Sequence, residues 1–177
     1  MQHAVRVLYG QASPSEALAA AELALETVDL DAFLRTVAGN AHFAGIEGVV
    51  YARAQEEVRV RADAFSLEDV VTHILRNADR HRTPGTPVTL ALDDRREDGT
   101  LEVAIHNEGP AIDAALLERI FEYGVSGAAE MPDAAANGQR GQGLFVARTY
   151  MSKMGGTVQA QNVAGGVRFI LTLQRAA

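Results

Sequence analysis

The sequence predicts an α/β domain, a two-layer sandwich in which helices pack on one face of a mixed β-sheet. Three or four segments repeat apolar residues at the period of an amphipathic helix. About six shorter segments alternate apolar and polar residues or are bounded by Gly-rich turns, as strands linked by hairpins are. The chain has 177 residues, of which 47% are hydrophobic, so it can bury a substantial core. Helices and strands mixed in this way favour a helical layer on one sheet.

Composition narrows the classes of function. The net charge of −7 argues against nucleic-acid binding. The chain has no cysteine, which excludes disulfides, a thiol nucleophile and Cys-ligated zinc. No apolar run approaches the roughly 18 residues of a membrane span, and the first residues lack the pattern of a signal peptide. We therefore expect a cytosolic domain that contacts neither nucleic acid nor membrane.

The chain is expected to divide into an N-terminal linker helix, residues 1–27, and a main domain, residues 28–177. Ser13 followed by Pro14 is a typical helix start, because serine caps the helix and proline is tolerated in its first turn. The Ala- and Leu-rich helix that follows is expected to end at about Glu26.

The first half of the main domain is predicted to hold two helices and two strands. Asp29 is expected to cap one helix. Strands are expected at residues 48–52 and 58–62, joined by a polar turn. Ser66 is expected to cap the next helix, which ends near His81.

The second half continues with a strand at residues 88–92 and its antiparallel partner at 101–107. The second strand alternates apolar and polar residues, as a strand with one buried face does. A short helix is expected from Asp113. Residues 124–140 are rich in Ala and Gly without periodicity, and are expected to form a mobile lid.

Two glycines, Gly141 and Gly143, precede an apolar-periodic helix that ends at Gly155-Gly156, before two final strands. Glycines at a helix N-terminus let backbone N–H groups approach an anion, which the helix dipole also favours. The junction is a candidate phosphate site. The alternative is an ordinary turn.

Four motifs in order resemble the ATP-binding catalytic domain of sensor histidine kinases, a family related to gyrase and to mismatch-repair ATPases. Residues 73–81 resemble its N box, 107–112 its first glycine box, 120–124 its phenylalanine box and 141–144 its second glycine box. The resemblance covers roughly residues 28–174. It implies the fold described above and a nucleotide bound between helices and sheet.

The resemblance also implies roles for individual residues. Asn77 is the implied Mg²⁺ ligand, since its amide offers a hard oxygen. Asn77 and His73 are the expected catalytic residues, and the His73 imidazole could order a water or simply pack. Asn107 is expected to meet the adenine amino group. The alternatives are a helix asparagine bonded to backbone, and a plain turn at residue 107. The residues implied to bind ATP are Asn77, Arg80, His81, Asn107, Gly109, Ile112, Phe121, Gly141, Gly143 and Leu144.

The sequence departs from the family pattern at three points. The first departure is in the N box, where His73 stands in place of Asn or Glu. The second is in the first glycine box, where Asn107 replaces Asp and Ala111 replaces Gly. The third departure is that no histidine is followed by the acidic residue of the phosphoacceptor motif. The resemblance therefore implies a catalytic domain that transfers the γ-phosphate of Mg-ATP to a histidine on a separate helical domain.

The same resemblance implies a response regulator as the second partner, and allows the domain to be the cytosolic part of a membrane-anchored sensor. Two other functions are considered. One is a degenerate nucleotide-binding or docking module without kinase activity, which the three substituted positions favour. The other is a family ATPase or anti-sigma-type serine kinase, which is disfavoured because His73 replaces the usual Glu base.

Overall fold

The computed structural model describes residues 14–52, 57–94, 96–122, 124–125 and 143–177. Helices in these ranges are α1 (Pro14–Ala20), α2 (Leu30–Asn40), α3 (Ala64–His81) and α4 (Gly143–Lys153), with short 3₁₀ helices at Ala41–Ala44 and Arg119–Phe121. Strands are β1 (Glu26–Asp29), β2 (Val49–Ala52), β3 (Arg59–Ala62), β4 (Val88–Asp93), β5 (Thr100–Glu108), β6 (Thr157–Val163) and β7 (Gly166–Gln174).

Five strands form a mixed sheet in the order β2-β4-β5-β7-β6. β2 and β4 are parallel, and the other neighbours are antiparallel. Alternate residues of β5, such as Val103 and Ile105, are buried and face the same core as Phe169 and Leu171 of β7. The core also takes the apolar faces of α2, α3 and α4. The predicted fold class is confirmed.

α3 is the central helix of the domain and contacts α4, β4 and β5. Its buried face carries Leu67, Val71 and Ile74, with further apolar residues at helical spacing. Its N-cap is Asp63, whose carboxylate accepts the Ser66 N–H at 3.0 Å. The prediction that Ser66 is the cap was wrong, because Asp63 reaches the free N–H groups first and leaves Ser66 buried in the first turn.

The strand pairing of the first half differs from the prediction. α1 ends at Ala20, not near Glu26, since residues from Glu26 onward form β1. β1 pairs antiparallel with β3. β2 and β3 are therefore not a hairpin. Each of these strands has only four residues, so alternation alone does not identify its partner.

Two further predictions concern helix ends and short helices. Asp29 caps α2 as predicted and accepts the Ala32 N–H at 3.1 Å. The helix predicted from Asp113 is absent from the described residues, where turns lead into the 3₁₀ helix Arg119–Phe121. One or two turns do not repay the cost of starting an α-helix.

α1 rests on α4 through one lysine. Lys153 Nζ donates to the carbonyl oxygen of Ala19 at 2.7 Å and to that of Ala21, which would otherwise lack partners at the end of α1. The predicted domain boundary at residues 27 and 28 stays a prediction, and β1 spans it. The predicted lid at 124–140 lies outside the described residues beyond 125. Within the described ranges, no helix is both long and apolar enough to span a bilayer.

Candidate functional site

Three polar side chains form a row along α3. His73, Asn77 and His81 follow each other at intervals of four residues, and all three are half-buried. Residues at this spacing lie on the same side of an α-helix, so the row extends over about 12 Å. One end of the row meets Gly143, and the other meets Gly109.

The first end of the row lies against the start of α4. A β-carbon built on Gly143 would be 3.1 Å from Nδ1 of His73, so a side chain there would press on the imidazole. Gly143 is the first residue of α4, and free N–H groups and the helix dipole favour an anion at such a position. The next residue, Leu144, is half-buried and packs on the core. The phosphate end of the predicted site is therefore next to His73.

Both histidines of the row have a lowered pKa. Burial is the main cause for His73, with Arg76 lowering the pKa further and Asp69 opposing it. Burial also lowers the pKa of His81, and the neighbouring Arg80 adds to the effect. Because the usual histidine pKa is about 6.5, both imidazoles are neutral at physiological pH.

The second end of the row lies against the loop that follows β5. Gly109 has a φ of +155°, and a β-carbon built there would clash with the carbonyl oxygen of His81. The Thr83 N–H also donates to the Glu108 carbonyl at 2.8 Å. The structure shows that the missing side chain of Gly109 makes room for the end of α3. The expected approach of Gly109 to the base stays a prediction.

Asn107 is buried at the end of β5, with 2% of its surface exposed. Its Nδ2 donates to the carbonyl oxygen of Glu108 at 3.2 Å, the same oxygen that Thr83 binds. A carbonyl oxygen only accepts, so a flipped amide would place two oxygens against each other. The Asn107 Oδ1 is therefore the end of the amide that can accept a hydrogen bond from a ligand, as the predicted contact with the adenine amino group requires.

The other residues predicted to bind ATP lie at several places in the domain, and some of them are away from the row on α3. Ile112 is half-buried and packs on the core, and Arg80 is exposed on the adjoining side of α3. Phe121 is 3% exposed, and its ring meets that of Phe169 edge-on with centroids 6.1 Å apart. Phe121 thus packs the core, and its contact with a nucleotide stays a prediction. Gly141 lies outside the described residues.

The residues at the row fit a magnesium nucleotide. Asn77 lies midway, and its amide has no hydrogen-bond partner among the residues described. Mg²⁺ prefers oxygen ligands and usually keeps phosphate oxygens and waters around one or two protein groups. The same described ranges hold no group of three or more His, Asp or Glu that could bind a metal by themselves. The Asn77 amide oxygen is the protein group that the row offers to such an ion.

A cavity of about 570 Å³ lies elsewhere, on the side of α4 that faces α1. Its walls include Phe121, Phe145, Arg148 and Lys153, and none of the three row residues. It is therefore separate from the row on α3, and the predicted ATP-binding residue in its wall is Phe121.

Sequence reasoning missed the residues that support the site. Thr83, Asn162 and Gly166 all contact the loop after β5, and none was predicted to matter. Asn162 offered one signal, since asparagine is depleted in strands yet occurs here inside β6. The contacts of Thr83 and Gly166 involve backbone atoms, for which the side-chain pattern gives no signal.

Comparison with known proteins gives a consistent set of relatives. Residues 62–177 match the family described as histidine kinase-, DNA gyrase B- and HSP90-like ATPases. The two-component sensor PprA of Pseudomonas aeruginosa is 36% identical over an alignment of 124 residues, which covers 67% of this chain and 13% of that protein. The probable sensor histidine kinase TcrY of Mycobacterium tuberculosis is 33% identical over 118 residues, 67% of this chain and 24% of its own. The chain thus spans a quarter or less of these relatives.

Solved structures show the same fold. The catalytic domain of the histidine kinase ThkA superimposes with a TM-score of 0.73 at 20% identity, covering 86% of this chain and 97% of that domain. Full-length ShkA in complex with AMPPNP gives a TM-score of 0.69 at 27% identity, covering 89% of this chain and 33% of that protein.

Proposed function

Because the chain belongs to the family of histidine kinase-, DNA gyrase B- and HSP90-like ATPases, we propose that it is the catalytic domain of a two-component sensor histidine kinase. The reaction is transfer of the γ-phosphoryl group of ATP to a histidine on a separate helical domain. The observation that carries the proposal is the row His73–Asn77–His81, which runs from the start of α4 to the loop after β5.

The nucleotide is proposed to lie along this row. Its phosphates take the end at Gly143, where the start of α4 offers N–H groups and a favourable dipole. Its adenine takes the end at Asn107, whose Oδ1 accepts from the 6-amino group. Asn77 lies between them and holds Mg²⁺ together with the phosphates. When bound, the ion neutralises charge on the phosphate oxygens.

The domain's own residues act by positioning. A histidine nitrogen of the partner domain attacks the γ-phosphorus in line and forms a P–N bond. The bond between the γ-phosphorus and the β–γ bridging oxygen breaks, and ADP leaves. Holding the two reactants in line supplies a large part of the rate enhancement. His73 is neutral beside the phosphate end and orients groups there, because a buried imidazole with a lowered pKa is a weak base.

The partners follow from the same proposal. The relatives are named as sensors and sensor kinases, and this chain spans only part of them. A phosphoacceptor helical domain is proposed as the direct partner, with a response regulator receiving the phosphoryl group afterwards. The orientation of Asn107 supports retained nucleotide binding, since the substituted residue still presents an acceptor. Phosphoryl transfer to a helical acceptor domain distinguishes the kinase from a degenerate module without kinase activity.

Calorimetry with ATP and ADP, with and without Mg²⁺, tests the binding step on the 177-residue chain. We expect Mg²⁺-dependent binding of both nucleotides. Radiolabelled ATP alone should leave the chain unlabelled, and addition of a phosphoacceptor helical domain should produce label on that domain. Absence of ATP binding, or acid-labile labelling of the isolated chain, would contradict the proposal.

A further inference from the structure

We propose that Asn162, an exposed residue of β6, is a positioning residue for adenine. It acts through the segment Asn107–Ile112, which comprises the last two residues of β5 and the loop after them, and which we call the base-reading loop. The inference rests on the proposed function and goes beyond it. Asn107 and Gly109, which are proposed to contact adenine, lie in this segment. β5 holds one end of the segment, and Asn162 holds the other end.

Asn162 binds the loop through both ends of its amide. The Ile112 N–H donates to Asn162 Oδ1 at 2.9 Å, and Asn162 Nδ2 donates to the Ile112 carbonyl oxygen at 2.7 Å. The two residues are 50 positions apart in sequence. The side chain thus pairs with the Ile112 backbone as a neighbouring strand would, and fixes both its position and its orientation.

The rest of the β6–β7 hairpin holds the beginning and middle of the same loop. The Gly109 N–H donates to the Gly165 carbonyl at 3.1 Å. Gly166 lies so close to the Asn107 carbonyl that a β-carbon on Gly166 would clash with it. Asn107 also pairs with Val167 in the sheet. The hairpin therefore supports the base-reading loop at three points, and the support at Ile112 comes from a side chain that a substitution can remove.

Removing Asn162 should affect the loop more than the fold. Pro110 and Ala111 are exposed, so this part of the loop buries little surface of its own. Asn162 is exposed as well, so its loss leaves no buried polar group unpaired. The free loop would sample more conformations, and adenine binding would have to order it. Nucleotide affinity should fall while the stability of the domain changes little.

The test compares Asn162→Ala with wild type, and uses Gln159→Ala as the matched control. Gln159 is an exposed amide on the same strand, and within the described ranges its side chain makes no hydrogen bond. In calorimetry, Asn162→Ala should bind ADP about tenfold more weakly, as expected for the loss of two hydrogen bonds. Hydrogen exchange should show a faster Ile112 amide and unchanged amides in α3. Gln159→Ala should match wild type in both measurements.

A second readout separates positioning from general damage. In the transfer assay with a helical acceptor domain, Asn162→Ala should raise KM for ATP about tenfold and leave kcat unchanged, because uniform binding is lost. If wild type and Asn162→Ala bind ADP with equal affinity, this inference is overturned and the proposed function is not. An Ile112 amide that exchanges no faster in the variant would also overturn it. A wild-type chain that does not bind ADP would overturn the proposed function and this inference with it.

Discussion

His73 of α3 and Gly143 of α4 are in direct contact: the glycine leaves space for the imidazole, and a β-carbon there would lie 3.1 Å from Nδ1 and 3.5 Å from Cγ. Two motifs that are far apart in the sequence thus form one surface. The identity of residue 143 controls how closely the start of α4 approaches the row of polar residues on α3.

Gly143→Ala is expected to weaken ADP binding by about tenfold, because the imidazole or the start of α4 must move by a few tenths of an ångström. Calorimetry measures the effect. Gly39→Ala is the control, since Gly39 lies inside α2 with nothing within 4 Å of its built β-carbon. That change should be neutral or stabilising by up to about 1 kcal/mol. When His73 is also replaced by alanine, Gly143→Ala should cause a smaller loss of ADP affinity. An equally large loss in that background would contradict the steric explanation.

Asn77→Ala should remove the strengthening of ADP binding by Mg²⁺, because it deletes the amide oxygen proposed as the metal ligand. The fold should persist, since the amide has no described hydrogen bond and alanine favours helix. Calorimetry at several Mg²⁺ concentrations makes the measurement. Glu68→Ala, an exposed change on the same helix, should behave as wild type. Unaltered Mg²⁺ dependence in Asn77→Ala would rule out the ligand assignment.

Asn107→Asp should raise the ratio of ADP to GDP affinity, since a carboxylate accepts from the adenine amino group and repels the guanine oxygen. The gain should stay below about tenfold, or 1.4 kcal/mol, because the wild-type amide already presents its acceptor. Side-by-side calorimetry of both nucleotides on both proteins gives the ratios. Equal wild-type affinity for ADP and GDP would show that Glu108 does not fix the amide.

Asp63→Ala should destabilise the domain by about 1 kcal/mol at neutral pH, as loss of an N-cap does. Bonds from the Ser66 backbone lower the pKa of the Asp63 carboxyl below its usual 3.8. A carboxyl with a lowered folded pKa stabilises the protein above its unfolded pKa, and this contribution disappears as the pH falls through the folded pKa.

The difference in unfolding free energy between wild type and Asp63→Ala should therefore shrink below about pH 4. Urea unfolding at several pH values checks this. Asp63→Asn is the matched control, because asparagine also caps helices but does not ionise in this range. A wild-type advantage over Asp63→Asn that grew on acidification would contradict the assignment.

Sequence reasoning predicted those residues of the candidate site that depend on residue type and spacing. His73, Asn77 and His81 share a face because the helix repeat dictates it, and Asn107 ends a strand whose alternation is plain. The predicted strand pairing in the first half was wrong. β1, β2 and β3 are too short for their sequence patterns to specify the neighbouring strand. The contact of Asn162 with Ile112 was missed since it joins residues that only the folded sheet brings together.

The position of β7 within the sheet bears on how the chain acquires its shape during synthesis. β7 follows β5 and β6 in the sequence, yet it lies between them in the sheet. Until it emerges, β5 exposes an unpaired edge, and such edges promote aggregation. The end of β5 and the loop after it gain their contacts with Gly165 and Gly166 only then. A nascent chain therefore completes this sheet only after β7 has been synthesised, and a truncation within β7 is expected to disrupt the loop after β5 together with the sheet.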